Sequence, residues 1–136
     1  MSVKITIDER AGRQCASSGS KWEPIIGYSR AVRSGNLIAV TGTVGINEDG
    51  TYPKTVQEQT RRSLEIIRAA IEALGGKLDH VLRTRMFVTE IGEWQEVAKA
   101  HGEVFGEIRP ATTMVEVSKL IDEQALIEIE ADAFVA

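Results

Sequence analysis

Between Val56 and Leu74 the apolar residues Val56, Leu64, Ile67, Ile71 and Leu74 fall on one helical stripe, and Gly75-Gly76 follows as a stop. A helix with a single apolar stripe has to lay it on another surface, so the rest of the chain must provide one. Strand patterns provide it. Residues 126–134 alternate Ile127, Ile129 and Ala131 with Glu128, Glu130 and Asp132, the pattern of a strand with one acidic face. Residues 36–41 are nearly all apolar and read as a central strand, joined to a run at 28–33 by the hairpin-turn pair Ser34-Gly35. Residues 82–89 and 112–119 read as further strands, and 3–7 as a short first one. Trp94, Val97, Ala98, His101 and Phe105 recur at three or four residues, which predicts a second amphipathic helix between Glu93 and Phe105, and Pro110 bars its continuation.

The resulting order is β-β-β-α-β-α-β-β, an α+β domain in which two helices cover one face of a mixed sheet. Apolar residues on both faces of that sheet would leave an exposed patch, so association is expected to cover the second face. Residues 8–27, rich in Gly, Ser, Arg and Glu without lasting period, read as an irregular excursion pinned by Trp22 and Pro24. Residues 42–52 form a polar loop containing Asn47, Asp49 and Gly50. With no repeat, low-complexity tract or linker, residues 1–136 are expected to form one domain.

Composition narrows the function classes. A formal net charge of -4 argues against a nucleic-acid surface, and Arg61, Arg62 and Arg68 are interleaved with Glu58 and Glu65 as on a solvated helix face. No apolar run approaches the roughly 18 residues that cross a bilayer. Cys15 has no intrachain partner and the first residues do not read as a secretory leader, so a cytoplasmic location is expected. His80 and His101 have no partner at ligand or triad spacing, so no metal is expected. The stretch Ser17-Ser18-Gly19-Ser20-Lys21 lacks the P-loop pattern and reads as a loop.

Several segments together resemble the RidA (reactive intermediate deaminase, YjgF-type) family. They are the strand Asn36–Gly42, Gln59-Thr60 at the helix start, Arg83–Val88, Pro110-Ala111, Val115–Val117 and above all Ile127–Ala131. The similarity runs from about Tyr28 to the C-terminus. It implies a chorismate-mutase-like fold, a homotrimer with three inter-subunit clefts, and hydrolysis of imines or enamines to a carbonyl compound and ammonia without a cofactor. Carried over residue by residue, Glu128 takes the place of the water-positioning glutamate, while Tyr28, Thr41 and Gly42 fall on cleft-lining positions.

The sequence also departs from the family. Thr112 follows Pro110-Ala111 where the family has the arginine that grips a substrate carboxylate, and Thr43 stands where glutamine is common. One neutral hydroxyl then replaces a fork of five donors. Arg109, Arg85 or Arg30 are candidates to restore the charge, and Trp22 is a candidate to cap the cleft. Three readings follow: a hydrolase with altered substrates, a non-catalytic trimeric module binding a metabolite, and a ribonuclease. The acidic balance and the absence of a histidine pair weigh against the third.

Overall fold

The computed structural model describes residues 3–136. Seven strands and two long helices follow in the order β1 (Thr6–Arg10), β2 (Arg13–Ser17), β3 (Ala31–Ser34), β4 (Leu37–Val44), α1 (Val56–Ala73), β5 (Val81–Val88), α2 (Trp94–Phe105), β6 (Ala111–Glu116) and β7 (Ile127–Phe134). They form one sheet in the order β1-β2-β3-β4-β7-β5-β6. Only β5 and β6 run parallel, as befits the two strands joined through the crossover helix α2.

Helix α1 begins where the Thr55 hydroxyl accepts the Glu58 N–H at 3.2 Å. It ends at Gly75, whose φ of +85° is accessible without strain only to glycine, while the Gly76 N–H returns to the Ile71 carbonyl. The apolar stripe of α1 packs on β4 and β7, and α2 packs beside α1. The core lies in that layer, where Ile38, Leu64, Ile67, Ile71, Ile127 and Ile129 are buried. Alternation along β7 puts Ile127, Ile129, Ala131 and Ala133 against the helices, with Glu128, Glu130, Asp132 and Phe134 on the opposite face.

The α+β architecture with two helices on one face of a mixed sheet is therefore present, with one strand more than the periodicity predicts. The stretch 8–27 is not wholly irregular. It holds the end of β1, all of β2 and a single π-helical turn at Glu23–Gly27. Strand β2 pairs with β3 and buries the adjacent small residues Cys15 and Ala16, so no alternation of large apolar side chains marks it. In the β3–β4 hairpin Ser34 pairs with Leu37, so Gly35 and Asn36 make the turn, one residue later than the sequence suggests. The uncovered sheet face is mixed rather than apolar: Leu37, Val115 and Phe134 are exposed, but Arg85 bridges Glu130 at 3.1 Å and Asp132 at 3.3 Å.

Candidate functional site

The site is built at an irregularity in the sheet. Between Val40 opposite Ala131 and Thr43 opposite Ile129, the two residues Thr41 and Gly42 face a single residue of β7, which is a β-bulge. The bulge brings the β4 backbone against Glu128. A side-chain carbon at Gly42 would lie 2.6 Å from Glu128 Oε2. The absence of a side chain at Gly42 is thus what lets the carboxylate rest there. Burial pushes the Glu128 carboxyl above the usual carboxylate range; the nearby Arg30 pulls it back and Glu130 pushes it further up.

Arg30 stands beside the same bulge and is only 6% exposed. Its backbone is fixed on two sides, donating to the Ala16 carbonyl at 2.8 Å and accepting from the Thr41 N–H at 2.9 Å. The guanidinium donates to the Gly42 carbonyl (2.9 Å), the Thr43 hydroxyl (3.2 Å), the Ser18 hydroxyl (3.1 Å) and the Tyr28 hydroxyl (3.3 Å). Four of its five N–H donors are therefore committed to protein acceptors. Thr41 donates its hydroxyl to the Ser29 carbonyl at 2.6 Å, and Thr43, fully buried, donates to the Thr41 carbonyl at 2.7 Å.

These groups open onto a cleft of about 930 Å³. Glu128, Tyr28, Arg30, Thr41, Gly42 and Thr43 all line it, so the sequence candidates around the bulge come together. Trp22 lines it as well, from the segment before the π-helical turn, with Ile26 and Ile121 supplying further apolar wall. Two residues that the sequence reading does not single out join them. Tyr52 and Asp122 come from the loops before α1 and before β7 and stand close to one another in the cleft. Burial, with the Asp122 and Glu128 carboxylates close by, holds the Tyr52 phenol in its protonated form. Neither residue lies on a periodic element, so the sequence carried no signal for them beyond residue type.

Three other candidates lie outside the cleft of this chain. Thr112 sits on the edge strand β6 opposite Thr84, and its hydroxyl lies 2.5 Å from the Thr84 hydroxyl, which also meets His101 Nε2 at 2.9 Å. Arg85 is occupied by Glu130 and Asp132 on the open sheet face. Arg109 is exposed in the approach to β6, with φ at +55°. Of the three arginines named from sequence, Arg30 alone reaches the cleft.

His101 is half-buried against Phe105, with ring centroids 4.8 Å apart, and burial lowers its pKa. Its ring serves packing and the Thr84 contact. Among the described residues no group of three or more His, Cys, Asp or Glu side chains is arranged to hold a metal ion, and no helix is long and apolar enough to cross a membrane.

Comparison with known proteins agrees with the geometry. The Endoribonuclease L-PSP family model matches residues 19–135. A crystal structure of a Mycobacterium tuberculosis protein described as a member of the YjgF/YER057c/UK114 family aligns with a TM-score of 0.85 at 47% identity, covering 90% of this chain and 99% of that one. A RutC family protein of Pyrococcus abyssi is 37% identical over 114 residues, which is 82% of this chain and 89% of its own length. The 2-iminobutanoate/2-iminopropanoate deaminase of Escherichia coli is 34% identical over 110 residues, 78% of this chain and 85% of its own length. The chain belongs to the YjgF/RidA family.

Proposed function

We propose that this protein hydrolyses reactive imines or enamines without a cofactor, and that its substrates lack a carboxylate next to the reacting carbon. The observation that carries the reading is the Glu128 carboxylate, half-buried at the bulge and resting on Gly42. Desolvation makes it a stronger base than a carboxylate in water, suited to orienting a water and accepting its proton. The hydroxide equivalent adds to the C=N carbon and the proton passes to nitrogen, giving a carbinolamine. Collapse of the C–N bond then releases ammonia and the carbonyl compound, so one water is consumed for each ammonia formed.

The substrate range follows from Arg30. Recognition of a carboxylate at full strength uses two parallel N–H donors, and the Arg30 fork is already spent on Gly42, Thr43, Ser18 and Tyr28. Thr112 adds only a hydroxyl bonded to Thr84. Assembly into a homotrimer, with ligand in clefts between subunits, belongs to the same proposal. Exposed Leu37, Val115 and Phe134 on the helix-free face support it. In such an assembly the edge strand β6, and with it Thr112, is where a neighbour would complete the cleft.

The same spent fork favours a second reading, a trimeric module that binds a metabolite without turning it over. Ammonia release from imines with and without an adjacent carboxylate separates the two, measured on wild type, Glu128→Ala and Thr112→Arg. Turnover of the carboxylate-free imines that Glu128→Ala abolishes supports the hydrolase. An inert wild type, with a Thr112→Arg variant that turns over carboxylated imines, supports the binding module.

A further inference from the structure

Arg30 is a buried cation none of whose four acceptors carries a charge. Buried charges are normally paired, because an uncompensated one is costly to desolvate. The buried Glu23 carboxylate lies one hydroxyl away, with Ser18 Oγ accepting from Arg30 Nε at 3.1 Å and donating to Glu23 Oε2 at 3.0 Å. Glu128 is a second carboxylate on the same cleft, and its carboxyl responds to Arg30. The acceptors are also placed selectively. Gly42 O and Thr43 Oγ1 belong to the bulge on which Glu128 rests, and Tyr28 Oη belongs to the cleft wall. Because Tyr28 accepts from Arg30, its own hydroxyl hydrogen remains available to the cleft.

We infer that Arg30 is a positioning residue: it holds the bulge carbonyl and the Tyr28 hydroxyl in place, and it supplies the positive charge that faces Glu128. The inference rests on the hydrolase reading for its effect on rate but not for its effect on Glu128. A purely structural arginine would need only its acceptors satisfied. This one also sets the ionisation and placement of a second residue, through a fork whose geometry a lysine cannot copy. Arg30 from the segment before β3, Glu130 along β7 and Tyr52 from the loop before α1 act on Glu128, while Lys4, Lys21, Arg62 and Asp122 line the same cleft.

The test uses the full chain and two variants, Arg30→Gln and Arg30→Lys, checked for folding by thermal melting. Carboxyl-carbon NMR follows the titration of Glu128, assigned with Glu128→Gln, and pH profiles of ammonia release follow kcat and KM. Removing the charge in Arg30→Gln is expected to raise the Glu128 midpoint by about one pH unit and to carry the acid limb of kcat with it. Keeping the charge but losing the fork in Arg30→Lys is expected to leave the midpoint near wild type while kcat falls about tenfold at similar KM. A Glu128 midpoint unmoved in Arg30→Gln overturns the electrostatic half, and wild-type kcat in Arg30→Lys overturns the positioning half. Should Arg30→Gln not fold, the lysine variant carries the test, and a Glu128 midpoint that shifts although the charge is kept counts against the inference. If the wild type turns over no imine, the hydrolase reading fails while the NMR titration still decides the Arg30–Glu128 coupling.

Discussion

A single methyl group at Gly42 separates the chemistry of this site from its stability. The added carbon would lie 2.6 Å from Glu128 Oε2, 2.8 Å from Cδ and 3.1 Å from Cγ, where ordinary contact begins at 3.4 Å, so the carboxylate oxygen must retreat by 0.8 Å. The obstacle is the far end of a flexible side chain, and swinging it aside costs about 0.5–1.5 kcal/mol if an off-rotamer angle is required. A displacement near 1 Å at a group that orients the attacking water is expected to lower turnover about 100-fold, or about 2.7 kcal/mol of transition-state stabilisation. Gly45→Ala is the control. Its added carbon would collide with the Gln59 carbonyl oxygen in the backbone of α1, which no rotamer change relieves. That variant is expected to lose about 3 kcal/mol or more of stability. Urea midpoints and initial rates of ammonia release from a carboxylate-free imine, taken on both variants, check the pair. A Gly42→Ala protein that turns over substrate at the wild-type rate would refute the role given to the Gly42–Glu128 contact.

Other outcomes follow from buried polar contacts. Gln59 donates to the Pro53 and Gln124 carbonyls at 2.9 and 3.0 Å and accepts the Leu126 N–H at 2.8 Å, so Gln59→Leu is expected to cost about 3 kcal/mol or more in urea unfolding. Thr84→Val removes the hydroxyl that meets both His101 and Thr112 and is expected to cost about 1–2 kcal/mol by the same assay. His101 binds its proton less readily folded than unfolded. Stability should therefore fall as pH drops below about 6.5 toward the lower folded value, and His101→Leu should remove that component of the slope. For Glu128 the folded pKa lies above the ordinary 4.5, so the native state loses stability as pH rises from 4.5 through that raised value. Glu128→Gln is accordingly expected to melt higher than wild type near neutral pH and to show no such gain at pH 4.

Much of the fold was legible because its long elements bury one face. The stripe from Val56 to Leu74 and the alternation from Ile127 to Asp132 are direct imprints of the core. Strand β2 was not legible, since Cys15 and Ala16 are small, adjacent and both buried, while every residue of β1 is exposed. The cleft was legible where residue identity mattered, at Glu128, Gly42, Thr41, Thr43 and Tyr28. It was illegible where it depends on loops meeting in space, as Tyr52 and Asp122 do. Arg30 shows the limit well. The sequence offers three arginines as substitutes for the one that Thr112 displaces, and only tertiary structure shows that Arg85 is held by Glu130 and Asp132 while Arg30 reaches the bulge.

Glu128-dependent hydrolysis is the claim on which the rest depends, and one measurement addresses it. Freshly generated imine without an adjacent carboxylate is mixed with wild type or with Glu128→Gln, and ammonia is followed against the buffer rate. The account predicts release well above buffer for wild type and a return to the buffer rate for Glu128→Gln, with both proteins folded. Equal release from the two proteins would contradict it.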